Sequence, residues 1–584
     1  MIKITKSKIE VSTSKYTVSI YLKKKINYIT NNKNYIIGFF GEMIDKRSKK
    51  IKLDNAKEKL LSFKHEDAKK IKNFLSNYFG SFSFFYLNIK KNICLLANDR
   101  FGLNHIFYTL KKKNKFHLKV SDYLDQLIEK KNNKNLINKN FLNQYILCRY
   151  DDIYGKNETI YKDINFLKAS HVKIFNLLNF KSKKICYWNF LKEKTNENIS
   201  INDAIKILDE KIINSISRIK FNKKKSIIAV SGGMDSTTTC YYLNKLNIKL
   251  PSFTAKYDVS TNLNESIKAK KVANKYCKSW RQIKIDYKSF MKYWKDCYNY
   301  HAQPLPTSSC LGYDIIFDKV SKLGYKNIIN SGSFDDLYGS NFPGFLYNLS
   351  DLYINKKKDE FKKEFKLWTK YYSTKEYPKN LKTFKNFLKE NIKSGKEIQP
   401  SLKFIDNSKG ISKKLINFKK EKIKSLSLHH AWILYGMWIC GRPANSVPMK
   451  EGEIKFRLVS IDPYLDKNLI NYVWKLPSNF KIRNGKGKFI LRKLMKERLP
   501  KAITSNFIKT GYDVPIKSWL LKKEFKTFVL NSIDDNNPFL KNLINIKKLK
   551  KDIKINNSNI NPMFVWQVTN FCLWYNTKKK KCIG

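Results

Sequence analysis

A short apolar run, Ser226-Ile-Ile-Ala-Val230, breaks into Ser231-Gly232-Gly233-Met234-Asp235-Ser236 and continues as Thr237-Thr-Thr-Cys-Tyr-Tyr242. A buried strand that turns through two glycines into a helix is a building block of α/β domains. The glycines permit a tight turn and close backbone approach to an anion. The Ser236 hydroxyl and the free N–H groups of the helix start can then cradle phosphate oxygens. Asp235 stands where a carboxylate could hold Mg²⁺ against them. The flanks agree with this reading. Strand-like and helix-like segments alternate at 252–257, 265–277, 282–285, 311–323 and 326–330, which predicts a parallel sheet covered by helices.

The loop lacks the Gly-Lys-Ser/Thr ending of a Walker sequence. It resembles instead the pyrophosphate loop of the ATP pyrophosphatases, which cleave between the α- and β-phosphates. A second acidic element, Asn330-Ser-Gly-Ser-Phe-Asp-Asp-Leu-Tyr-Gly-Ser340, follows another predicted strand. Ligands of open α/β sheets bind at such strand ends, so Asp335 or Asp336 could supply an opposing Mg²⁺ ligand.

The amino-terminal part reads differently. Short β-branched and aromatic runs recur at 16–22, 35–40, 80–87, 93–97, 105–110 and 171–175, around a helix-like segment at about 56–79. At 584 residues the chain is long enough for two to four domains. We expect a β-rich first domain over 1–190 and an α/β second domain over 191–584, with a Lys-rich insertion at about 353–426 that forms a solvated surface or shapes a pocket.

Net charge is +68, from 116 Lys and Arg against 48 Asp and Glu. An excess of that size raises nucleic acid as a partner. However, Lys is spread along the whole chain and Arg, the preferred fork for phosphate, is scarce, so a solvated basic surface is expected and nucleic acid is not. Ten cysteines include no CxxC and no tight Cys/His cluster, which predicts reduced thiols. The start carries no apolar signal-peptide core, and the run from Trp432 to Cys440 is about half the length of a membrane span. A cytoplasmic protein with no membrane partner is expected.

Further motifs follow in order. Leu96-Ala-Asn-Asp-Arg-Phe-Gly-Leu-Asn-His-Ile-Phe-Tyr108, Thr159 to Ile164, Lys168-Ala-Ser-His171 and Tyr187-Trp188 lie in the first domain. Phe253-Thr-Ala255, Asn264-Glu265, Ala273, Pro304 and Ser331 to Ser340 lie in the second. So do Arg457 with Asp462-Pro-Tyr-Leu-Asp466, Leu476-Pro477, Lys488-Phe-Ile-Leu-Arg492, Leu499-Pro500 and Lys509-Thr-Gly-Tyr-Asp-Val-Pro515. Together they resemble the asparagine synthetase family over nearly the whole chain. The resemblance implies a fold and a reaction. The fold is α/β: an Ntn-type glutaminase-like sandwich followed by a parallel-sheet synthetase domain of ATP-pyrophosphatase type. The reaction is attack of a substrate carboxylate on the α-phosphate of Mg-ATP, then capture of the acyl-adenylate by ammonia or an amine.

Carried over by resemblance, Ser231, Gly232, Gly233, Asp235 and Ser236 hold pyrophosphate, and Asp235 with Asp335 binds Mg²⁺. Val230, Ala255, Ser331 and Gly332 line the nucleotide site, and Lys509 is the catalytic lysine. The partners implied are ATP, a small-molecule or peptide carboxylate and an amine or ammonia donor; a homodimer stays open.

Two departures matter. Glutamine-dependent members use an amino-terminal cysteine, whereas this chain has Ile2, and its first cysteine, Cys94, lies inside a predicted strand. Neither an Asn-Gly-Glu nor an Arg-Leu-Ser segment occurs between Gly41 and Gly80, so a silent glutaminase half is expected. The family's Glu before the second metal Asp is also replaced, by Gly332 or Ser333. Glutaminase-dead relatives that close an amide within one substrate (β-lactam synthetases, lasso-peptide cyclases) sometimes use Tyr there, and Tyr338 is near in sequence. The competing classes are a tRNA-modifying pyrophosphatase and a non-catalytic scaffold.

Overall fold

The computed structural model describes residues 2–5, 8–21, 27–31, 34–41, 43–44, 67–112, 114–129, 137–148, 158–179, 181–189, 195–259, 266–372, 378–388, 427–434, 436–437, 441–506, 514–558 and 560–583. Short, strongly apolar runs separated by turns make the amino-terminal part a pair of sheets. Its strands are β1 (Ile2–Ile4), β2 (Lys8–Ser12), β3 (Tyr16–Tyr21), β4 (Asn27–Asn31), β5 (Tyr35–Gly41), β6 (Phe82–Asn88), β7 (Ile93–Asn98), β8 (Phe107–Lys112), β9 (Phe116–Ser121), β10 (Asn165–Phe166), β11 (His171–Asn176) and β12 (Ser182–Cys186). They form sheets of order β1-β2-β3-β9-β8-β10 and β12-β11-β7-β6-β5-β4. Side chains alternate across each strand. In β6, Phe85 and Leu87 therefore point into the core between the sheets, with Ile20, Leu96, Leu118 and Val120. Phe82, Phe84 and Tyr86 point the other way, onto Ile71, Phe74 and Leu75 of the helix Ala68–Ser76. Burial on both faces explains why β6 reads as an unbroken apolar run. Of the helix predicted over 56–79, the part up to 66 lies outside the described residues.

The second part carries the predicted parallel sheet: β13 (Ser226–Ala229), β14 (Pro251–Tyr257), β15 (Ser279–Ile285), β16 (Asn327–Ile329) and β17 (Val459–Ile461), in the order β15-β14-β13-β16-β17. Each neighbouring pair is parallel. The helices Met234–Lys245, Ser266–Tyr276 and Ser308–Lys322 make the crossovers. From β13 the chain winds outward to β14 and β15, then returns to add β16 on the other side. The direction of winding thus reverses between β13 and β16, and a crevice opens beyond their carboxyl ends. A two-stranded hairpin follows, β18 (Ile482–Arg483) with β19 (Lys486–Gly487).

The described part of the insertion is not merely a solvated surface. The helices Phe342–Ile354, Lys358–Tyr371 and Leu381–Phe387 share a small core of Phe345, Leu349, Phe361, Trp368, Tyr372 and Phe384, and Ile482 of β18 completes it. Aromatics at helical spacing among the lysines make that core. No helix among the described residues is long and apolar enough to cross a membrane.

Candidate active site

The loop after β13 ties itself together. Gly232 has φ +72, and a Cβ there would lie 2.7 Å from Lys268 Cβ and 2.8 Å from Ala269 N, so both conformation and space demand glycine. Ser236 Oγ accepts the N–H of Ser231 at 3.2 Å and sits 3.1 Å from Ser231 Oγ, which accepts the N–H of Gly233 at 3.2 Å. Thr237 Oγ1 donates to the Gly233 carbonyl at 2.7 Å. Asp235 lies in the first turn of Met234–Lys245, where a carboxylate complements the helix dipole.

Across the crevice, β16 leads into the short helix Ser333–Tyr338, which carries Asp335 and Asp336 in its first turn and ends at Gly339, φ +55. The Asp462-Pro-Tyr464 segment joins the two loops. Asp462 accepts from the N–H (2.8 Å) and hydroxyl (2.5 Å) of Ser333. The Tyr464 hydroxyl lies 2.8 Å from Thr239 Oγ1, which itself lies 2.7 Å from Ser331 Oγ. The Tyr464 ring stacks on Phe334 at 3.7 Å and 5° between planes.

The two predicted metal carboxylates meet at one point, and a lysine occupies it. Lys488 Nζ is 2.5 Å from Asp235 Oδ2 and 2.5 Å from Asp335 Oδ1. Lys488 has left-handed backbone, φ +55, and precedes the helix Phe489–Met495 directly after the β18–β19 hairpin. The insertion holds that hairpin. Glu364 accepts the N–H groups of Asn484 (2.5 Å) and Gly485 (2.8 Å), and Tyr372 donates to the Gly485 carbonyl at 3.0 Å. Gly485, φ +64, leaves no room for a Cβ, which would sit 2.8 Å from Leu367 Cβ. Arg492 donates to the carbonyls of Gly487 (2.8 Å), Thr504 (3.0 Å) and Asn506 (3.0 Å). Burial lowers its pKa, and the charges of Asp235 and Asp335 oppose that.

Of the other predicted residues, Val230 donates to the Phe253 carbonyl at 2.8 Å, and Ala255 sits on β14 opposite Ile283. Ser331 and Gly332 open the second acidic element. Lys509, with Gly511 and Tyr512, lies outside the described residues, as do Asn264 and Glu265. Tyr338 is fully buried, and that burial raises its pKa well above the phenol range. Lys488 was not among the candidate site residues; its position in Lys488-Phe-Ile-Leu-Arg492 was the available signal for its place between the two carboxylates.

In the first domain the Asp99-Arg100 pair is structural. Asp99 accepts the N–H groups of Phe101, Leu103 and Asn104 at 2.8, 3.0 and 3.0 Å. Arg100 donates to the carbonyls of Ser76 (2.8 Å) and Tyr78. Cys94 is buried in β7, which pushes its thiol up to about 12. Cys186 lies 3.1 Å from the Trp188 carbonyl.

Comparison with known proteins gives two domain families. Residues 42–188 match the glutamine amidotransferase domain and residues 458–575 match asparagine synthase. A stretch of 74 residues is 36% identical to "Asparagine synthetase [glutamine-hydrolyzing] 1" of Bacillus subtilis (strain 168), covering 13% of this chain and 11% of the relative's length. Two solved structures, an allosteric regulatory enzyme of purine biosynthesis and a glutamine phosphoribosylpyrophosphate amidotransferase from B. subtilis, cover 45% and 39% of this chain, and 63% and 47% of their own. They are 11% and 13% identical with TM-scores of 0.18 and 0.15, too distant to bear on this fold.

Proposed function

Because the chain belongs to the asparagine synthetase family, we propose that it is an ATP-dependent amide ligase that adenylates a substrate carboxylate and passes the acyl group to ammonia or an amine. The observation that carries this reading is the convergence of Asp235 and Asp335 on a single cation 2.5 Å from each, at the switch point of a parallel sheet.

Two carboxylates that share one ammonium fit Mg²⁺, which takes few protein ligands and completes its shell with water and phosphate oxygens. Bound there, Mg²⁺ would neutralise charge on the phosphates. The chain's own residues do the rest. Ser231, Ser236 and the N–H groups of Gly232 and Gly233 cradle the β- and γ-phosphates, while Val230, Ala255, Ser331 and Gly332 line the nucleoside. Lys488, beside those carboxylates, would hold its charge toward the leaving pyrophosphate. Lys509 serves as the catalytic lysine at the α-phosphate and later the carbonyl oxygen. A substrate carboxylate oxygen attacks the α-phosphorus and pyrophosphate leaves. The amine nitrogen then attacks the acyl carbon, AMP departs and the nitrogen sheds a proton.

The division is an Ntn-type glutaminase-like domain over 1–190 and a synthetase domain of ATP-pyrophosphatase type over 191–584. A silent glutaminase half is supported by buried Cys94, whose raised pKa disfavours the thiolate. A second reading, amide closure within one specialised substrate, is favoured by Ser333. Ser333 stands where the family carries Glu, and its hydroxyl is committed to Asp462.

The test is conversion of ATP to AMP and pyrophosphate with Mg²⁺ and aspartate, in the presence of ammonia, of glutamine or of neither, beside Asp335→Asn. AMP and asparagine with ammonia alone is the expected result. Equal rates with glutamine would overturn the silent half. Tight Mg-ATP binding without AMP would favour the second reading, and no Mg-ATP binding would overturn the ligase.

A further inference from the structure

Behind the phosphate loop two thiols face each other. Cys240 lies on the helix Met234–Lys245, whose first turn carries Asp235 and Ser236. Cys277 directly follows the helix Ser266–Tyr276, and its N–H continues that helix by donating to the Ala273 carbonyl at 2.8 Å. The two sulfurs are 3.8 Å apart. A disulfide bond is about 2.0 Å, so the gap that must close is smaller than one side-chain rotation moves a sulfur.

The pair is asymmetric. Cys240 is buried, and Cys277 is half-buried. The hydrogen-bond contact between the thiols lowers the pKa of Cys277, while the same contact and burial raise that of Cys240. Burial instead raises the pKa of Cys94, Cys297 and Cys572. A half-buried thiol that favours its thiolate, backed by a second thiol in contact, is the arrangement of a redox-sensing cysteine with its resolving partner.

We propose that Cys277 is a hydroperoxide-reactive thiol and that Cys240 resolves it into a reversible disulfide bracing the phosphate-loop helix. The Cys277 thiolate attacks the peroxide O–O bond, becoming a sulfenic acid as the peroxide is reduced to an alcohol, or to water from hydrogen peroxide. The Cys240 sulfur, giving up its proton, then attacks the Cys277 sulfur. The S–S bond forms and the sulfenic oxygen leaves as water. Two thiols are oxidised by two electrons in total, and a thiol reductant restores them.

The bond would join two helices that already touch at the loop, since Gly232 packs directly on Lys268 and Ala269 of the second helix. Linking the sulfurs therefore ties together the backing of the loop proposed to hold pyrophosphate, and in that respect the inference rests on the ligase reading.

The folded full chain is treated with hydrogen peroxide, its remaining thiols are alkylated, and its peptides are mapped by mass spectrometry. A Cys240–Cys277 linked peptide, reversed by dithiothreitol and absent from Cys277→Ser, is expected. In Cys240→Ser, a sulfenic acid trapped at Cys277 by dimedone is expected. Both thiols alkylated as in untreated protein, or Cys277 driven to sulfinic acid with Cys240 intact, would overturn the assignment. This readout needs no ATP, so its failure is distinct from failure of the ligase reading. The oxidised protein should also bind Mg-ATP roughly five-fold or more weakly; unchanged affinity in fully linked protein would remove the brace.

Discussion

The carboxylate of Glu364 accepts the N–H of Gly485 at 2.8 Å, and through that turn the insertion holds the hairpin that leads into Lys488. Its other oxygen accepts from Asn484 at 2.5 Å. A carboxylate that satisfies two adjacent backbone donors fixes the turn more tightly than a neutral group could. Glu364→Ala should lower kcat for ATP turnover at least ten-fold, because both charge-assisted bonds, roughly 1.5–3 kcal/mol each, are lost. Glu364→Gln should recover part of it. Equal loss in both variants, with matching loss of thermal stability, would reduce Glu364 to a stability role.

Lys488 and the two aspartates form a charge set that is balanced only in part without a metal. Lys488→Ala removes the cation from between two carboxylates 2.5 Å from its nitrogen. Turnover should fall about 10²-fold, the scale of losing one preorganised charge at the reacting phosphates. At the same time Mg²⁺ alone should raise the melting temperature of the variant more than that of the parent protein, because the metal no longer competes with the ammonium. Thermal melts with and without Mg²⁺ check this; equal shifts would mean the carboxylates do not share a metal.

Much of the α/β half was legible because its signals are local. The strand before Ser231, the two glycines and the acidic first turn lie within a dozen residues, and the sheet runs as the alternation predicts. Asp335 was legible for the same reason. The lysines were not. Composition makes any Lys a surface residue by default, yet Lys488 is buried between two aspartates. Lys481 is fully buried too, its Nζ 2.8 Å from His430 Nε2 and donating to the Leu476 carbonyl at 2.6 Å. What distinguishes these two is a long-range partner, which period and spacing do not encode. The Cys240–Cys277 contact was hidden likewise: 37 residues separate the thiols, and only the crossover of two helices brings them together.

Tyr464 tests how far the two loops depend on the segment that joins them. Its hydroxyl lies 2.8 Å from Thr239 Oγ1 and donates to the Asp235 carbonyl at 3.4 Å, while its ring stacks on Phe334. Tyr464→Phe keeps the stack and removes the hydroxyl, and should cost about 1 kcal/mol of stability with a rise in KM for ATP. Tyr464→Ala also loses the ring and should cost about 3–5 kcal/mol. Urea denaturation separates the two, and equal losses would show that the ring contributes nothing beyond its hydroxyl.

His301 supplies the clearest pH signature. It is fully buried, with Nε2 2.6 Å from Asp314 and Nδ1 2.9 Å from Glu451. Burial alone would lower its pKa; the two carboxylates outweigh burial and raise it to about 9. The unfolded value is about 6.5. Because the folded pKa is the higher, the protonated ring stabilises the fold fully below about pH 6.5, and that contribution disappears as pH rises through about 9. His301→Gln, which leaves two buried carboxylates without their cation, should cost about 3–5 kcal/mol at pH 6. The gap between parent and variant should narrow by pH 10, where the parent has lost its own charge. Urea titrations at the two pH values measure it, and a gap that stays constant would mean that His301 does not titrate between them.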